Sequence, residues 1–533
     1  MQRRITVLLM TSKCWVGFNL APPIGLYRLK NYLEKNELKC DILDFDIDSE
    51  QSYLQRVSEG DYDVIGMSVT HLNMKDDLDT LLRFRDAARR SAKKCIFIAG
   101  GHEATLNYKQ WLESGMVDII FLGFAEDALS AFCVKLSFNE TNGNHLEIAH
   151  EIAGVVFYKS DGKLVYKSSP RLTSEKFRQL SFNNIKSAIP YDKYWQKVRD
   201  DKIDGFNHTE FIVETVRLYT SSHCPRKCGF CSSQSFLPES QKSVAPILML
   251  SAEDVYELVL YHIDKYGARG FLFSDDDFPV GNREGIVRIL NFSKLIVNAK
   301  NSGRIPKEVK FFCQSRIADF LDQKNVRWNV IEAMKNAGFD NTGLGIETFS
   351  DKLLKSPFIN KIGVTTNDYR IVLDALLEKG IIPIIFLIVG IPDGTVEEQI
   401  ETMYVAMEYI RKGADVSVLA RLRANPGSPV YSLGGYDIST TTWKNPYTGT
   451  EIVINDYFIP KNEELSRIVG MIQETTESVI NNIKIQRGWD KNIVPKSLVG
   501  IATFIATAKL LHRDAAANDF TRTINDILDE KIH

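Results

Sequence analysis

The stretch that most constrains this chain is Thr220 to Ser232, T-S-S-H-C-P-R-K-C-G-F-C-S. It sets Cys224, Cys228 and Cys231 in a C-x3-C-x2-C spacing, behind four residues of strand character, Val216 to Tyr219. The loop is therefore expected to hang from the C-terminal end of a buried strand. Three thiolates in one short loop can hold three corners of a cubane iron–sulfur cluster, whereas a fully protein-bound four-iron cluster takes four cysteines. The spacing supplies no fourth, so one iron is left open to an exogenous ligand. A cluster that does chemistry, rather than only carrying electrons, needs that vacancy. Structural zinc wants four closed ligands, and His223, adjacent to Cys224, is poorly placed to reach the same ion. The remaining cysteines include Cys14, Cys40, Cys95, Cys133 and Cys313, scattered in a way that suits a reducing cytosol better than a disulfide framework.

A length of 533 residues leaves room for about three domains at ~150 residues each. With 65 basic and 68 acidic residues the net charge is −3, which gives no electrostatic case for nucleic acid or a membrane surface. The N-terminus, M-Q-R-R-I-T-V-L-L-M, is basic then apolar, but the apolar run covers only Ile5 to Met10 and Lys13 follows with no cleavage site. It reads as a first β-strand, and a cytoplasmic location is expected. The longest apolar run, Ile381 to Ile391, is interrupted by Pro383 and Gly390 and is too short for a membrane helix.

The chain divides into four expected parts. Residues 1–145 alternate short apolar strands (Ile5–Met10, Cys40–Phe45, Val64–Ser68, Cys95–Ala99, Ile119–Leu122) with helical stretches. That pattern argues a parallel sheet covered on both faces, a flavodoxin-like, doubly wound Rossmann-type domain that binds ligands outside the carboxyl ends of its strands. Residues 146–210 are a hairpin, with its turn at Asp161-Gly162, and a linker. Residues 211–430 return to alternation with six candidate strands, a partial (β/α)6 barrel whose chemistry sits at the strand C-termini. Residues 431–533 have helical spacing in Asn462–Ile483 and Val499–Leu511 and a polar, turn-rich stretch at Thr440–Asn455; they are expected to form a small, mostly helical cap over the barrel mouth. The fold class is α/β.

The cysteine loop, with Phe230 before its last Cys, resembles the signature of the radical S-adenosylmethionine (SAM) superfamily. In that family the open iron of a [4Fe-4S] cluster binds the amino and carboxylate groups of SAM. S-D-D-D-F, closing the second strand with Ser274, Asp275 and Asp276, resembles a motif placed near the SAM amino group. G-I-E-T resembles the motif that sets Glu347 near the ribose. Arg316 is a carboxylate or substrate partner, and Gln314 and Phe230 complete the expected SAM pocket. For the acidic run the plain alternative is a solvated helix N-terminus. G-I-P-D-G-T at Gly390–Thr395 resembles a further motif but reverses its glycine and acid, so no assignment rests on Asp393.

Pro22–Leu26 (P-P-I-G-L), G-G-H-E-A-T at Gly100–Thr105 and G-x-x-E at Gly123–Glu126 resemble the cobalamin-binding domain that precedes many radical SAM domains. The resemblance implies a corrin cradled by strand-end residues: Thr11, Ser12, Ser68, Thr70, His71, Gly100, Gly101, Thr105, Gly123 and Glu126. The D-x-H-x-x-G motif that supplies an axial histidine elsewhere is absent, so no protein imidazole is expected on cobalt. His71 and His102 sit at strand ends, where ordinary hydrogen bonding is the alternative.

The joint order resembles the cobalamin-dependent radical SAM methyltransferases. The resemblance implies a 5′-deoxyadenosyl radical that removes hydrogen from an unactivated carbon and a methyl group delivered from methylcobalamin. It also implies a small-molecule or peptide substrate and an external electron donor of flavodoxin or ferredoxin type. Radical cyclisation or rearrangement without methyl transfer is the alternative, followed by a non-enzymatic cobalamin or redox sensor. A methylthiotransferase would need a second three-cysteine cluster, which the first domain lacks.

Overall fold

The computed structural model describes residues 4–12, 21–69, 73–138, 145–183, 189–200, 214–487 and 496–530. Its first sheet has seven strands: β1 (Thr6–Met10), β2 (Lys39–Leu43), β3 (Val64–Ser68), β4 (Ile96–Gly100), β5 (Ile119–Phe121), β6 (Val155–Tyr158) and β7 (Leu164–Lys167). The order is β2-β1-β3-β4-β5-β6-β7, with the first five strands parallel. β1 and β3 are almost wholly buried, as strands covered by helices on both faces must be. The hairpin read as part of the linker belongs to this sheet: β6 pairs antiparallel with β5, and β7 with β6.

Beyond the linker helix Tyr191–Asp200 the barrel begins. Its strands are β8 (Thr215–Leu218), β9 (Gly270–Phe273), β10 (Lys310–Ser315), β13 (Phe339–Glu347), β14 (Ile382–Ile388) and β15 (Asp415–Leu419), with a two-residue pair, β11 (Leu321–Asp322) and β12 (Asn325–Val326), between β10 and β13. The six long strands form one all-parallel sheet in the order β15-β14-β13-β10-β9-β8. Its outward face is a stack of aromatic rings, Phe271, Phe273, Phe278, Phe292, Phe311 and Phe339, against the helix Arg283–Asn301.

The last part departs from expectation. Residues read as polar and turn-rich form an antiparallel hairpin, β16 (Ile438–Lys444) and β17 (Glu451–Phe458). Its alternate residues Trp443, Ile452 and Ile454 are buried against Met74, Leu78 and Trp111 of the first domain. Trp443 Nε1 donates to Asp79 at 2.7 Å, Asn445 Nδ2 to the Ser114 carbonyl at 2.7 Å, and Gln110 Nε2 to the Val453 carbonyl at 2.7 Å. The hairpin therefore straps the end of the barrel to the N-terminal domain. Of the elements beyond it, the Lys461 N–H donates to the Pro392 carbonyl past the end of β14 at 3.0 Å, and the helix Lys496–Leu510 packs on β15. Gly500 lies so close that a Cβ would sit 2.3 Å from Val416 Cγ1. No helix among the described residues is long and apolar enough to cross a membrane.

Trp443 supplies the hairpin's largest buried surface as well as a hydrogen bond. Trp443→Ala is expected to cost about 3–5 kcal/mol of stability and to open the hairpin to protease. Equilibrium urea unfolding with limited proteolysis measures both; a loss under about 1 kcal/mol would show that the strap does not hold the domains.

Candidate functional site

β8 ends at Leu218, and the chain turns into the cysteine loop with two backbone N–H groups left over. Asp275, at the end of β9, takes both. The Thr220 N–H donates to Oδ1 at 2.8 Å, the Thr220 hydroxyl to Oδ2 at 2.7 Å, the Ser221 hydroxyl to Oδ1 at 2.6 Å, and the Ser221 N–H also to Oδ1. Arg288 supports the same corner from below, donating to the Thr220 hydroxyl at 3.0 Å. Asp275 was expected on SAM. Its carboxylate is instead consumed in holding the loop, so it is a positioning residue.

Further along, the loop is clamped by two distant segments. The Gly229 N–H donates to the Ile359 carbonyl at 3.3 Å, and the Val430 N–H to the Gly229 carbonyl at 3.0 Å. A Cβ on Gly229 would fall 2.0 Å from the Pro357 carbonyl oxygen and 2.5 Å from that of Phe358. Only glycine allows the loop to seat. Phe230 stacks on Phe358 with centroids 6.3 Å apart, so it anchors the loop by packing. Arg226 reaches inward to the Val280 carbonyl at 3.2 Å and lies 3.8 Å from Asp277. Behind it, Asp277 and Asp319 are buried together; burial raises both carboxyls, Asp319 to about 6 and Asp277 well above the usual range with the charge of Asp319 adding to it.

Cys224, Cys228 and Cys231 are free thiols on this loop, none in a disulfide. Burial pushes all three up, Cys228 to about 11 even with the Lys361 ammonium opposing the shift. Left alone they would stay protonated. A metal-bound thiol is deprotonated outright, and three thiols on one loop are the donor type that holds three corners of an iron–sulfur cluster. His223 takes no part: its Nδ1 meets the Ser222 hydroxyl at 2.9 Å, and burial lowers its pKa.

Glu347 ends β13 with a φ of 63°, a left-handed conformation that costs a non-glycine residue roughly 1–2 kcal/mol. Its Oε1 accepts from Lys361 Nζ at 2.8 Å, and Lys361 also donates to the Gly345 carbonyl. A Cβ on Gly345 would lie 2.8 Å from Glu347 Oε1 and 3.0 Å from Lys361 Nζ, so a side chain there would displace this ion pair. Strain of this kind gathers at functional sites. Lys361, absent from the sequence reading, sits beside Cys228 and Glu347 alike. Asp276 opens onto a cavity walled by protein, and burial raises its carboxyl. Gln314 is exposed, while Arg316 lies 4.0 Å from Asp277. Asp393 is bonded to Tyr436 and Lys461 and serves the C-terminal segment.

The cavity that Asp276 faces holds about 520 Å³ and lies between the two domains. Thr11, Ser12, Ser68 and His102 line it from the first domain, Ser274 and Asp276 from the barrel. It joins a narrower slot of about 190 Å³ that runs down between strand ends, lined by Gly66, Gly100, Gly101, Gly123 and Glu126. Gly25, Arg28, Ser68, Phe124 and Phe236 line both spaces. Arg28 and Glu126 form a buried ion pair of 2.7 Å at the junction. Phe236, five residues past Cys231, stacks on His102 at 5.3 Å, so the cluster loop and the slot share a wall. Thr105 is not brought to either space; it is buried and its hydroxyl accepts the Gly123 N–H at 3.0 Å. Thr70 and His71 lie outside the described residues.

The B12 binding domain family matches residues 18–133, and the Radical SAM superfamily matches residues 218–404. The chain joins a B12 binding domain to a radical SAM domain. Its cofactors are those of the two domains: cobalamin, a [4Fe-4S] cluster and SAM. No curated protein sequence matches it. Among solved structures it is similar to the radical SAM methyltransferase TsrM from Kitasatospora setae with cobalamin and a [4Fe-4S] cluster bound, at 13% identity and a TM-score of 0.63, covering 97% of this chain and 99% of that one. A second TsrM structure, with tryptophan and a SAM analogue, gives 15% identity and a TM-score of 0.60, covering 83% and 79%. OxsB with aqua-cobalamin and SAM bound gives 15% identity and a TM-score of 0.66, covering 99% and 75%. At these identities the likeness is one of fold.

The slot offers its own evidence of fit in this radical SAM chain. Gly25 has no unusual φ and sits in the first turn of the helix Ile24–Lys35, where glycine costs about 1 kcal/mol against alanine. A Cβ there would meet nothing within 4 Å. Neither backbone conformation nor packing explains the glycine; space for a bound group does.

Because Gly229 has backbone on its open side, Gly229→Ala is expected to fold yet fail to hold the cluster. Iron per chain after anaerobic reconstitution should fall severalfold with the circular dichroism spectrum unchanged. Full iron loading would mean that the clamp is incidental.

Proposed function

We propose that this chain is a cobalamin-dependent radical SAM C-methyltransferase acting on a small molecule. The observation that supports the reading is a pair of adjoining spaces: the strand-end slot of the B12 binding domain shares Gly25, Arg28, Ser68, Phe124 and Phe236 with a chamber whose barrel wall holds Ser274, Asp276 and the first residues of the cysteine loop, Ser221 to His223. Bound there together, the cofactors supply a 5′-deoxyadenosyl radical and a methyl group. The protein binds, orients and excludes water.

Each side chain then has a task. Cys224, Cys228 and Cys231 hold the cluster and leave one iron open. Asp276, which faces the chamber, accepts from the ammonium of SAM, as does Ser274. Glu347 meets the ribose diol with Oε2, its other oxygen being held by Lys361. Gln314 and Arg316 are assigned to SAM on their motif positions after β10, although neither lines the chamber. On the other wall Thr11, Ser12, Ser68, Gly100 and Gly101 bond the polar rim of the corrin, and the slot past Gly123 and Glu126 takes its base tail. An external one-electron donor, of flavodoxin or ferredoxin type, belongs to the reading, since each reductive cleavage of SAM consumes one electron that the chain itself does not supply. One TsrM structure holds cobalamin and another holds tryptophan, which favours a small substrate for a chamber of this size. Rearrangement without methyl transfer would use the same residues, and the product decides between them.

Two measurements test the reading. Incubated anaerobically with SAM, cobalamin, a one-electron reductant and substrate, the enzyme should raise the substrate mass by about 14 units, one CH2; an unchanged mass, or a loss of two hydrogens, would favour rearrangement or ring closure. Glu347→Ala should weaken SAM binding about ten- to a hundredfold with iron content retained, the worth of a hydrogen bond to a charged group. Iron lost at unchanged SAM affinity would make Glu347 a cluster-loop support instead.

A further inference from the structure

Among the described residues, one cation on the chamber wall has no hydrogen-bond or ion-pair partner. Arg217 lies on β8, where its chain neighbours Val216 and Leu218 are wholly buried against the helices, so that Arg217 and Tyr219 share the opposite face. Both line the chamber. Arg217 is half-buried, yet its guanidinium makes no hydrogen bond and no ion pair among the described residues. The other arginines around the chamber are engaged: Arg28 with Glu126, Arg226 with Val280 and Asp277, Arg288 with Thr220. Two of the chamber carboxylates, Asp44 and Asp275, are engaged as well, while Asp276 lies higher, toward the cysteine loop. Asp44 accepts from the Tyr194 hydroxyl and the Asp46 N–H, and Asp275 is consumed by the cluster loop. Burial of Arg217 lowers its pKa, which marks an uncompensated charge. A desolvated cation without a counter-charge is destabilising, and it is kept where an anion arrives.

Depth separates this anion from SAM. Arg217 pairs in register with Leu272 on β9, while the Ser274 N–H donates to the Leu218 carbonyl one step higher. Asp276 is higher still. At ~3.3 Å per residue, Arg217 sits about 6–7 Å below the level of Tyr219, away from the cysteine loop. A guanidinium presents a planar fork that matches an oxyanion in bidentate fashion.

We infer that Arg217 is the recognition residue for an anionic group of the substrate, a carboxylate or a phosphate ester, with Tyr219 beside it at the chamber wall. This rests on the proposed reading of the chamber as the reaction space. It makes the substrate a small organic acid held by its charged end on β8, and the reacting carbon is then directed upward toward the cluster and the cobalamin wall. Neutral esters or amides of the same compound should bind worse.

The test uses wild-type holoprotein, loaded with cluster and cobalamin, and the arginine-selective reagent phenylglyoxal, with modification of each arginine followed by peptide mass spectrometry. Acetate and inorganic phosphate are the probes. The expected result is saturable protection of Arg217 with SAM already bound, while half-buried Arg421, which does not line the chamber, reacts as before. Protection by acetate alone identifies a carboxylic acid substrate, and by phosphate alone a phosphate ester. Arg217→Gln should weaken binding of the protecting anion about ten- to a hundredfold and Arg217→Lys less, as expected for hydrogen bonds to a charged group. No protection, equal protection of Arg421, or protection by SAM without added anion would each overturn the assignment. Release of 5′-deoxyadenosine by the same wild-type preparation is scored separately. Protection without SAM cleavage would leave the anion site standing and remove the enzymatic reading, and cleavage without protection would do the reverse.

Discussion

The geometry of the whole site depends on what Asp275 does for the end of β8. A strand that stops at Leu218 leaves the N–H groups of Thr220 and Ser221 without ladder partners, and a buried unpaired N–H costs about 1–3 kcal/mol. One carboxylate from the neighbouring strand meets both, along with both hydroxyls. The start of the cysteine loop is thereby fixed to the sheet rather than left as a surface loop. Its far end is fixed by Gly229, pressed between Phe358 and Val430. Cys224, Cys228 and Cys231 are thereby carried on a loop held at both ends, whereas a free loop would be ordered around a cluster only at a cost in chain entropy.

From that anchored loop the chain runs straight into the other domain. The helix Phe236–Gln241 follows the third cysteine, stacks Phe236 on His102, and places Ser240 against Gly123. The Ser169 N–H donates to the Ser240 carbonyl and the Tyr166 hydroxyl to the Glu239 carbonyl. On the opposite side the Trp443 hairpin straps the barrel to the helix Met74–Arg89. Two independent ties thus set the separation of the slot and the cysteine loop. Chemistry that moves a group between two cofactors needs that separation fixed, since small misplacements of reacting atoms are expensive.

Much of this was legible in local sequence. The C-x3-C-x2-C spacing, the strand preceding it and the apolar runs of both sheets are local signals, and they appear where periodicity puts them. The long-range parts were not legible. Asp275 and Asp276 are adjacent carboxylates in one motif, and only the fold reveals that the first turns onto Thr220 while the second opens to the chamber. Lys361 carries no motif, yet it ion-pairs Glu347. Thr440 to Lys444, T-T-T-W-K, reads as polar because its single large apolar residue, Trp443, finds its partners more than 300 positions earlier, Asp79 among them. Thr105 has the hydroxyl a corrin could use, but the fold spends it on the Gly123 N–H.

The central claim is that the cobalamin slot and the cluster loop face one another across a single chamber. Electron paramagnetic resonance of the protein loaded with cob(II)alamin and a one-electron-reduced cluster tests it directly. The account predicts cobalt lines broadened and split by the nearby cluster spin, with the effect lost when the cluster is oxidised. Two unperturbed signals, each identical to that of the singly loaded protein, would place the cofactors apart and contradict it.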